Sequence, residues 1–140
     1  MKYFKPALSL LILLFSVTYL TGCTSTQTYM PELNANQKAI ADSITSKYGF
    51  ENIEMMGKKT SGSGGNHTSV TVKFINGKNI PSDESAQTTI AKELAQLVKK
   101  TLKTPNEFES YTILFVTRTV DGASTSEKYT GHEFKLGEIN

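Results

Sequence analysis

The chain has 140 residues, with 15 lysines and arginines against 13 aspartates and glutamates, which gives a formal net charge of +2. This near balance argues against nucleic-acid binding, which requires a basic patch or stripe. The length suits one domain with a single hydrophobic core, and the lone cysteine excludes a disulfide bond within the chain.

The first 22 residues have the layout of a secretory signal peptide, in which a positive segment precedes an apolar run and small residues. Residues 1–6 contain Lys2 and Lys5 but no acidic residue, and residues 7–20 carry no charge. The apolar run is shorter than the roughly 20 residues that span a bilayer, so a membrane-spanning anchor is the weaker interpretation. Removal of Lys2 and Lys5 with this segment would bring basic and acidic residues into balance.

The sequence Leu20-Thr21-Gly22-Cys23 closes this segment. It resembles the lipobox of bacterial lipoproteins, in which an aliphatic residue and two small residues precede a cysteine. The resemblance covers residues 1–23 and implies cleavage between Gly22 and Cys23, a diacylglycerol on the Cys23 thiol and a fatty acid such as palmitate on the new N-terminus. Two or three such chains hold a protein firmly to a membrane. In Gram-negative lipoproteins of this kind, a residue other than aspartate after the cysteine usually accompanies sorting to the outer membrane, and here that residue is Thr24.

We expect residues 23–33 to form a lipid-anchored tether and residues 34–140 to form a single domain. Residues 24–30 are short, polar and poor in helix formers, which is typical of a flexible segment.

Residues 34–48 predict the first helix. Asn34 or Asn36 is a suitable N-cap, and Gly49 suits the position after the last turn, where a positive φ is needed. The helix would present one apolar stripe, formed by Ile40, Ile44 and Tyr48.

Residues 82–103 predict a second, longer helix. Ser82 is the expected N-cap, and acidic residues in the first turn and lysines in the last turn suit the helix dipole. Its apolar positions fall on one stripe, which consists of Ala86, Ile90, Leu94, Leu97, Val98 and Leu102.

Four segments predict strands, which are residues 50–59, 67–76, 108–119 and 124–136. The glycine-rich residues 60–66 indicate a turn between the first two. The consecutive apolar residues in 108–119 favour a strand buried on both faces. Asp121-Gly122 indicates a two-residue hairpin turn, and alternation breaks near Gly131, where we expect a bulge or bend.

These elements follow the order α-β-β-α-β-β. We therefore expect an α+β fold with two layers, in which a four-stranded, mainly antiparallel sheet carries both helices on one face.

No pattern in the sequence predicts a catalytic, cofactor-binding or metal site. His67 and His132 are the two histidines, and they would join a carboxylate at a metal only if the two hairpins met there. We therefore interpret both as surface residues. Residues 61–65, SGSGG, precede a strand rather than a helix, so they indicate a turn and not a phosphate loop. Lys58 and Lys59, with the lysines at 99–103, could face anionic lipid headgroups, although charge at a helix end explains the latter group equally well.

We expect a non-enzymatic, membrane-anchored lipoprotein of the cell envelope, on the periplasmic side of the outer membrane in a Gram-negative cell. It would bind an envelope protein partner and no nucleic acid, through the outer face of the sheet or the edge of a hairpin. The alternative is an envelope hydrolase, or an inhibitor of a secreted or cell-wall enzyme, with its site near the glycine-rich turn.

Overall fold

The computed structural model describes residues 24–139. Five strands and two helices follow each other along the chain, with short 3-10 turns at Pro105–Glu107 and Leu136–Glu138. Their bounds are β1 Ser25–Tyr29, α1 Gln37–Tyr48, β2 Asn52–Gly62, β3 Gly65–Ile75, α2 Glu84–Thr101, β4 Ser110–Asp121 and β5 Ser124–Lys135. Within residues 24–139, neither helix combines the length and hydropathy needed to cross a lipid bilayer.

The five strands form one sheet in the order β1-β2-β3-β4-β5. Neighbouring strands are antiparallel except for β3 and β4, which are parallel and are connected through α2. The predicted α+β class is confirmed, but the prediction of four strands is wrong. The additional strand is β1, which lies within the residues interpreted as a flexible tether.

Strand β1 was missed because its sequence, STQTY, has no hydrophobic alternation and all five of its residues are exposed. It pairs with β2 from Ser25 opposite Ser61 to Tyr29 opposite Gly57. A Cβ added to Gly57 would lie 2.9 Å from two carbons of the Tyr29 ring, so this ring covers the glycine. An aromatic side chain over a cross-strand glycine is a known means of fixing an edge strand.

The chain after β1 crosses to the end of α2 and is held there. Leu33 forms an isolated bridge with Leu102, and the Lys103 ammonium lies 2.8 Å from a Glu32 carboxylate oxygen. Residues 30–33 are therefore fixed against the body of the domain as well.

Both helices pack on one face of the sheet and share a single core with it. The stripe predicted for α1 is confirmed at Ile44 and Tyr48, which are buried, and Ile40 is half-buried. In α2, Leu94 is fully buried, whereas Ile90 and Leu97 are half-buried. The sheet contributes alternate residues of its inner strands, namely Val70, Val72, Phe74, Tyr111, Ile113 and Phe115.

The helix ends follow local capping rules only in part. Asn36 is at the N-cap position of α1 but its side chain makes no capping hydrogen bond, and Gly49 ends the helix with a φ of 67° while its N–H donates to the Thr45 carbonyl oxygen. Helix α2 is capped by Asp83, whose side chain accepts a hydrogen bond of 2.8 Å from the Ala86 N–H. The prediction of Ser82 as the cap is therefore wrong by one residue.

The two tight turns lie near the predicted positions, but the predicted bulge at Gly131 is wrong. Ser63 and Gly64 connect β2 to β3, and Gly122 and Ala123 connect β4 to β5. The pairing of β4 with β5 continues without interruption past Gly131. A Cβ on Gly131 would lie 3.0 Å from Leu114 Cδ2, so the glycine makes room for that side chain instead of bending the strand.

The sheet projects beyond the helices at both ends. Strand β4 joins β3 at Ser69, which lies opposite Lys58, so residues 59–68 project beyond β4. We name residues 24–29 and 57–68 the entry arm. At the opposite end, residues 117–128 continue past the last β3 pair, Ile75 with Val116, and we name them the distal hairpin. At about 3.3 Å per residue, the tip of the distal hairpin lies about 50 Å along the sheet from the tip of the entry arm.

Candidate functional site

The face of the sheet opposite the helices has no covering layer among the described residues. Side chains alternate along each strand, so this open face carries the residues that do not join the helix-side core. Ile75 and Val116 lie on it and are buried by their neighbours, whereas Met56 is 46% and Tyr129 is 71% exposed. The open face is therefore a mixed polar and apolar surface, which is common for an antiparallel sheet but is also a usable contact surface.

A chain of ion pairs crosses the open face over four strands. Lys73 donates to Glu127 at 2.9 Å, and Arg118 contacts both Glu127 at 2.6 Å and Glu54 at 2.9 Å. The hydrogen bonds with Glu127 and Glu54 raise the pKa of Arg118, and those from Lys73 and Arg118 lower the pKa of Glu127. These shifts keep Arg118 and Glu127 charged at neutral pH, and the ion pairs connect β2, β3, β4 and β5 on this side.

A polar depression of about 580 Å³ lies on the open face next to the entry arm. His67 Nδ1 is 2.9 Å from Glu109 Oε2 within it, and both side chains are more than half exposed. The hydrogen bond and the charge of Glu109, with a hydrogen bond to the Gly64 backbone, raise the pKa of His67 above 6.5. The remaining lining residues are charged or carry hydroxyl groups, among them Lys58, Thr60, Ser69, Ser110, Glu133 and Lys135.

The depression resembles part of a hydrolytic site but is not complete. A carboxylate that orients a histidine is one element of a nucleophile-activating triad. However, neither Ser69 nor Ser110 hydrogen-bonds to His67 within the described part of the chain. The raised pKa also favours the protonated imidazolium, which cannot accept a proton from a serine.

His132 lies on the other side of the sheet, beside α2. Its Nδ1 is 3.2 Å from the Thr88 hydroxyl, and its ring meets the Phe115 ring edge-on at a centroid distance of 5.8 Å. Its Nε2 is buried without a partner among residues 24–139. The interpretation of both histidines as surface residues therefore holds for His67, while His132 is half-buried.

The two histidines lie on opposite faces and on strands separated by β4, so the structure does not bring them together. In the described part of the chain, no three His, Cys, Asp or Glu side chains are placed to hold a metal ion.

An apolar groove of about 600 Å³ lies between α1 and β2 on the helix side. Strand β1 ends at Tyr29, so residues 52–56 of β2 have no neighbour on that side among the described residues. The groove is lined mainly by apolar side chains, among them Met30, Ile40, Ala41, Ile53 and Met55. Met30 is 71% exposed at its rim.

Strand β5 forms a long open edge. It pairs with β4 over all twelve of its residues, and within residues 24–139 it has no partner on its other side. Tyr129 stands on the open face of this edge, where the Leu114 side chain occupies the space at the neighbouring Gly131. Unpaired N–H and C=O groups at such an edge can hydrogen-bond to another extended chain.

The predicted lipidation and cleavage residues, Cys23 and Gly22, lie outside the described residues, and so does the predicted signal peptide. The neighbouring residue Thr24 lies against Gly62, where an added Cβ would be 3.1 Å from the Thr24 hydroxyl oxygen. The chain therefore enters the domain at the tip of the entry arm.

The sequence analysis missed Glu109 as the partner of His67. The two residues are 42 positions apart, and they meet because β3 and β4 are parallel from Ser69 and Ser110 onward. No local pattern in the sequence encodes that register.

Comparisons of this chain with protein-family models, with curated proteins and with solved structures give no significant match.

Proposed function

We propose that this chain is a lipoprotein of the bacterial cell envelope, which carries lipid on Cys23 and serves as a non-enzymatic binding module. The lipobox-like residues 20–23 support the anchor, and the position of Thr24 at the tip of the entry arm supports the module. An anchor on the preceding residue would hold the domain by one end of its sheet and leave the other end away from the membrane. In a Gram-negative cell, Thr24 after the cysteine favours the periplasmic side of the outer membrane.

The contact surface that we propose is the open edge of β5, and its partner is an extended segment of an envelope protein. The observation that carries this proposal is a twelve-residue strand that is paired on one side and almost entirely exposed. Strand addition would give affinity through main-chain hydrogen bonds and specificity through side-chain contacts. Tyr129, which is 71% exposed, offers a large aromatic contact of the kind enriched at interfaces.

Site-specific photo-crosslinking tests this surface in intact cells. A photoreactive phenylalanine analogue replaces Tyr129 in one strain and the exposed Ser46 of α1 in a control strain. We expect a discrete protein adduct from position 129 but not from position 46. Gly131→Arg should abolish this adduct because its side chain would stand beside Tyr129 on the contact face, whereas Gly64→Arg, at a turn with open space around it, should not. Equal adducts at both positions, or an adduct that survives Gly131→Arg, would contradict the proposal.

The second candidate is a hydrolase, or an inhibitor of an envelope enzyme, with its site at the depression beside the glycine-rich turn. The His67–Glu109 pair favours it, and the raised pKa of His67 weighs against it. A fluorophosphonate probe distinguishes the two candidates, because it labels activated serines. Labelling of Ser69 or Ser110 that disappears in His67→Ala would favour the hydrolase, and no labelling is the result that we expect.

A further inference from the structure

The entry arm carries an uncompensated positive charge. Its charged side chains are Lys58, Lys59 and His67, and no aspartate or glutamate occurs in residues 24–29 or 57–68. His67 is balanced by Glu109 at the base of the arm. The two lysines are exposed, and neither has a hydrogen-bond or ion-pair partner within residues 24–139.

Several lysines elsewhere in the domain are paired with carboxylates. Lys47 lies 2.6 Å from Glu93, Lys73 lies 2.9 Å from Glu127, and Lys103 lies 2.8 Å from Glu32. Lys103 therefore does not add to a common basic surface with Lys58 and Lys59. The free charge of the two arm lysines lies at the point where the chain leads to the proposed lipid.

We propose that the entry arm docks end-on against an anionic phospholipid surface, with Lys58 and Lys59 contacting headgroups on its two faces. This proposal rests on the lipid attachment at Cys23. Cys23 directly precedes Thr24 in the sequence, and Thr24 lies opposite Gly62. An acylated Cys23 would therefore keep the arm tip within reach of the headgroups, and the charge of the surface would decide whether the tip docks there.

The two lysines depend on their long side chains to reach the headgroups, because their backbone positions lie beyond the Debye length from the arm tip. Lys59 is three residues and Lys58 four residues from Gly62 along β2, which corresponds to about 10 and 13 Å. The Debye length at physiological ionic strength is about 8 Å, and a lysine side chain can extend further toward the headgroups. A polybasic segment next to a lipid anchor is a known second contribution to membrane attachment.

The alternation of the strand favours an end-on orientation. Successive side chains point to opposite faces of the sheet, so Lys58 lies on the open face and Lys59 on the helix side. Each face of the arm thus carries one lysine that headgroups attract. The attraction therefore does not favour an orientation in which one face of the sheet lies flat on the membrane. The β5 edge and the distal hairpin would stay accessible in this orientation.

The experiment uses the lipidated full chain in vesicles, with an environment-sensitive fluorophore on Ser63→Cys at the arm tip. If Cys23 carries lipid, the introduced thiol is the one that reacts. We expect blue-shifted emission in vesicles that contain phosphatidylglycerol, little shift in pure phosphatidylcholine, and loss of the shift at high salt. The same label on Ala123→Cys in the distal hairpin should show no shift in either vesicle.

Charge reversal distinguishes the effect of the two arm lysines from the effect of the net charge of the domain. Lys58→Glu with Lys59→Glu should weaken docking of the tip by about fivefold or more, since a lysine at such a surface contributes roughly fivefold and this contribution falls off within a Debye length. Lys92→Glu with Lys128→Glu changes two exposed lysines outside the arm by the same total charge and should leave the tip signal unchanged. Equal signals in the two vesicle types, or equal effects of the two double variants, would overturn the proposal. Flotation of the protein with the vesicles measures membrane attachment through the lipid and does not depend on the fluorophore signal. A protein without lipid would therefore be distinguished from a lipidated protein whose arm does not dock.

Discussion

The packing of α2 depends most on Leu94, which is fully buried at the centre of the helix between the sheet and the rest of the core. We expect Leu94→Asp to abolish cooperative unfolding, because it would place an unpaired carboxylate in the apolar core at a cost comparable to the whole stability of a small domain. Thermal melting followed by circular dichroism measures this effect. Ile90→Asp should lower the melting temperature less, because Ile90 is half-buried.

Lys92→Asp is the matched control on the same helix, because Lys92 is exposed two positions before Leu94. It should melt near the wild-type temperature. A variant Leu94→Asp with unchanged melting would show that this side of α2 does not face the core.

The His67–Glu109 pair makes the stability of the entry arm depend on pH. The hydrogen bond and charge of Glu109 raise the pKa of His67 in the folded state above its usual 6.5. The stabilisation is therefore fully present below about pH 6.5 and is lost as the pH rises through the raised pKa. In Glu109→Gln, the pKa of His67 should fall toward 6.5, as measured by an NMR titration of its ring protons.

The difference in unfolding free energy between wild type and Glu109→Gln should accordingly be larger in mild acid than in mild base. Glu107→Gln serves as the control, because Glu107 accepts a hydrogen bond from the Thr104 hydroxyl and does not contact His67. A pKa of His67 that does not change in Glu109→Gln would show that the pair is absent in solution.

At the scale of the elements, β1 is an edge strand with a single neighbour and no buried residue. Its residues are exposed on both faces, and it is joined to the sheet by pairing with β2 and by the Tyr29 ring over Gly57. We expect Gly57→Val to displace that ring and release β1, because a Cβ at this position lies 2.9 Å from Tyr29 carbons. Amide hydrogen exchange should then accelerate in residues 25–29 and stay slow in β3 and β4.

Gly64→Ala provides the matched glycine control, since no heavy atom lies within 4 Å of its added Cβ. Exchange in β1 should be unchanged in this variant. Equal protection of β1 in Gly57→Val and wild type would show that the Tyr29 contact does not hold the strand.

The elements that the sequence predicted are those with a strong local signal. Apolar spacing located both helices and the stripes around Ile44 and Leu94, and alternation located β3. Strand β1 had no such signal, because an exposed polar edge strand needs no hydrophobic period. The space at Gly131 depends on Leu114 across the strand pair, and that contact is visible only after the register is known.

The candidate site was predictable to a smaller degree than the fold. The lipobox-like residues 20–23 form a contiguous motif, so the sequence alone carries them. The His67–Glu109 pair and the Arg118–Glu54 pair each join segments that are distant in the chain. They follow from the parallel pairing of β3 with β4, which composition and periodicity do not specify.

At the scale of the whole molecule, an anchor at one end of an elongated sheet would place the distal hairpin about 50 Å from the entry point, measured along the strands. A lipid at Cys23 would therefore determine how far from the membrane the β5 edge can meet a partner. Because Thr24 already lies against Gly62, only a very short length of chain separates the first strand from the proposed lipid. Both features make the orientation of the module depend on residue 23.

The proposed lipid attachment predicts that Cys23→Ser incorporates no labelled palmitate in cells, because the thiol that accepts the diacylglycerol is lost. Cys23→Ser combined with Ser25→Cys should also stay unlabelled, because the new thiol no longer follows residues 20–22 of the lipobox-like motif. Both variants should melt at the wild-type temperature, since the core of residues 24–139 is unchanged. Mass spectrometry of the native protein should show an acylated N-terminal Cys23, and an intact leader with a free thiol would contradict the attachment.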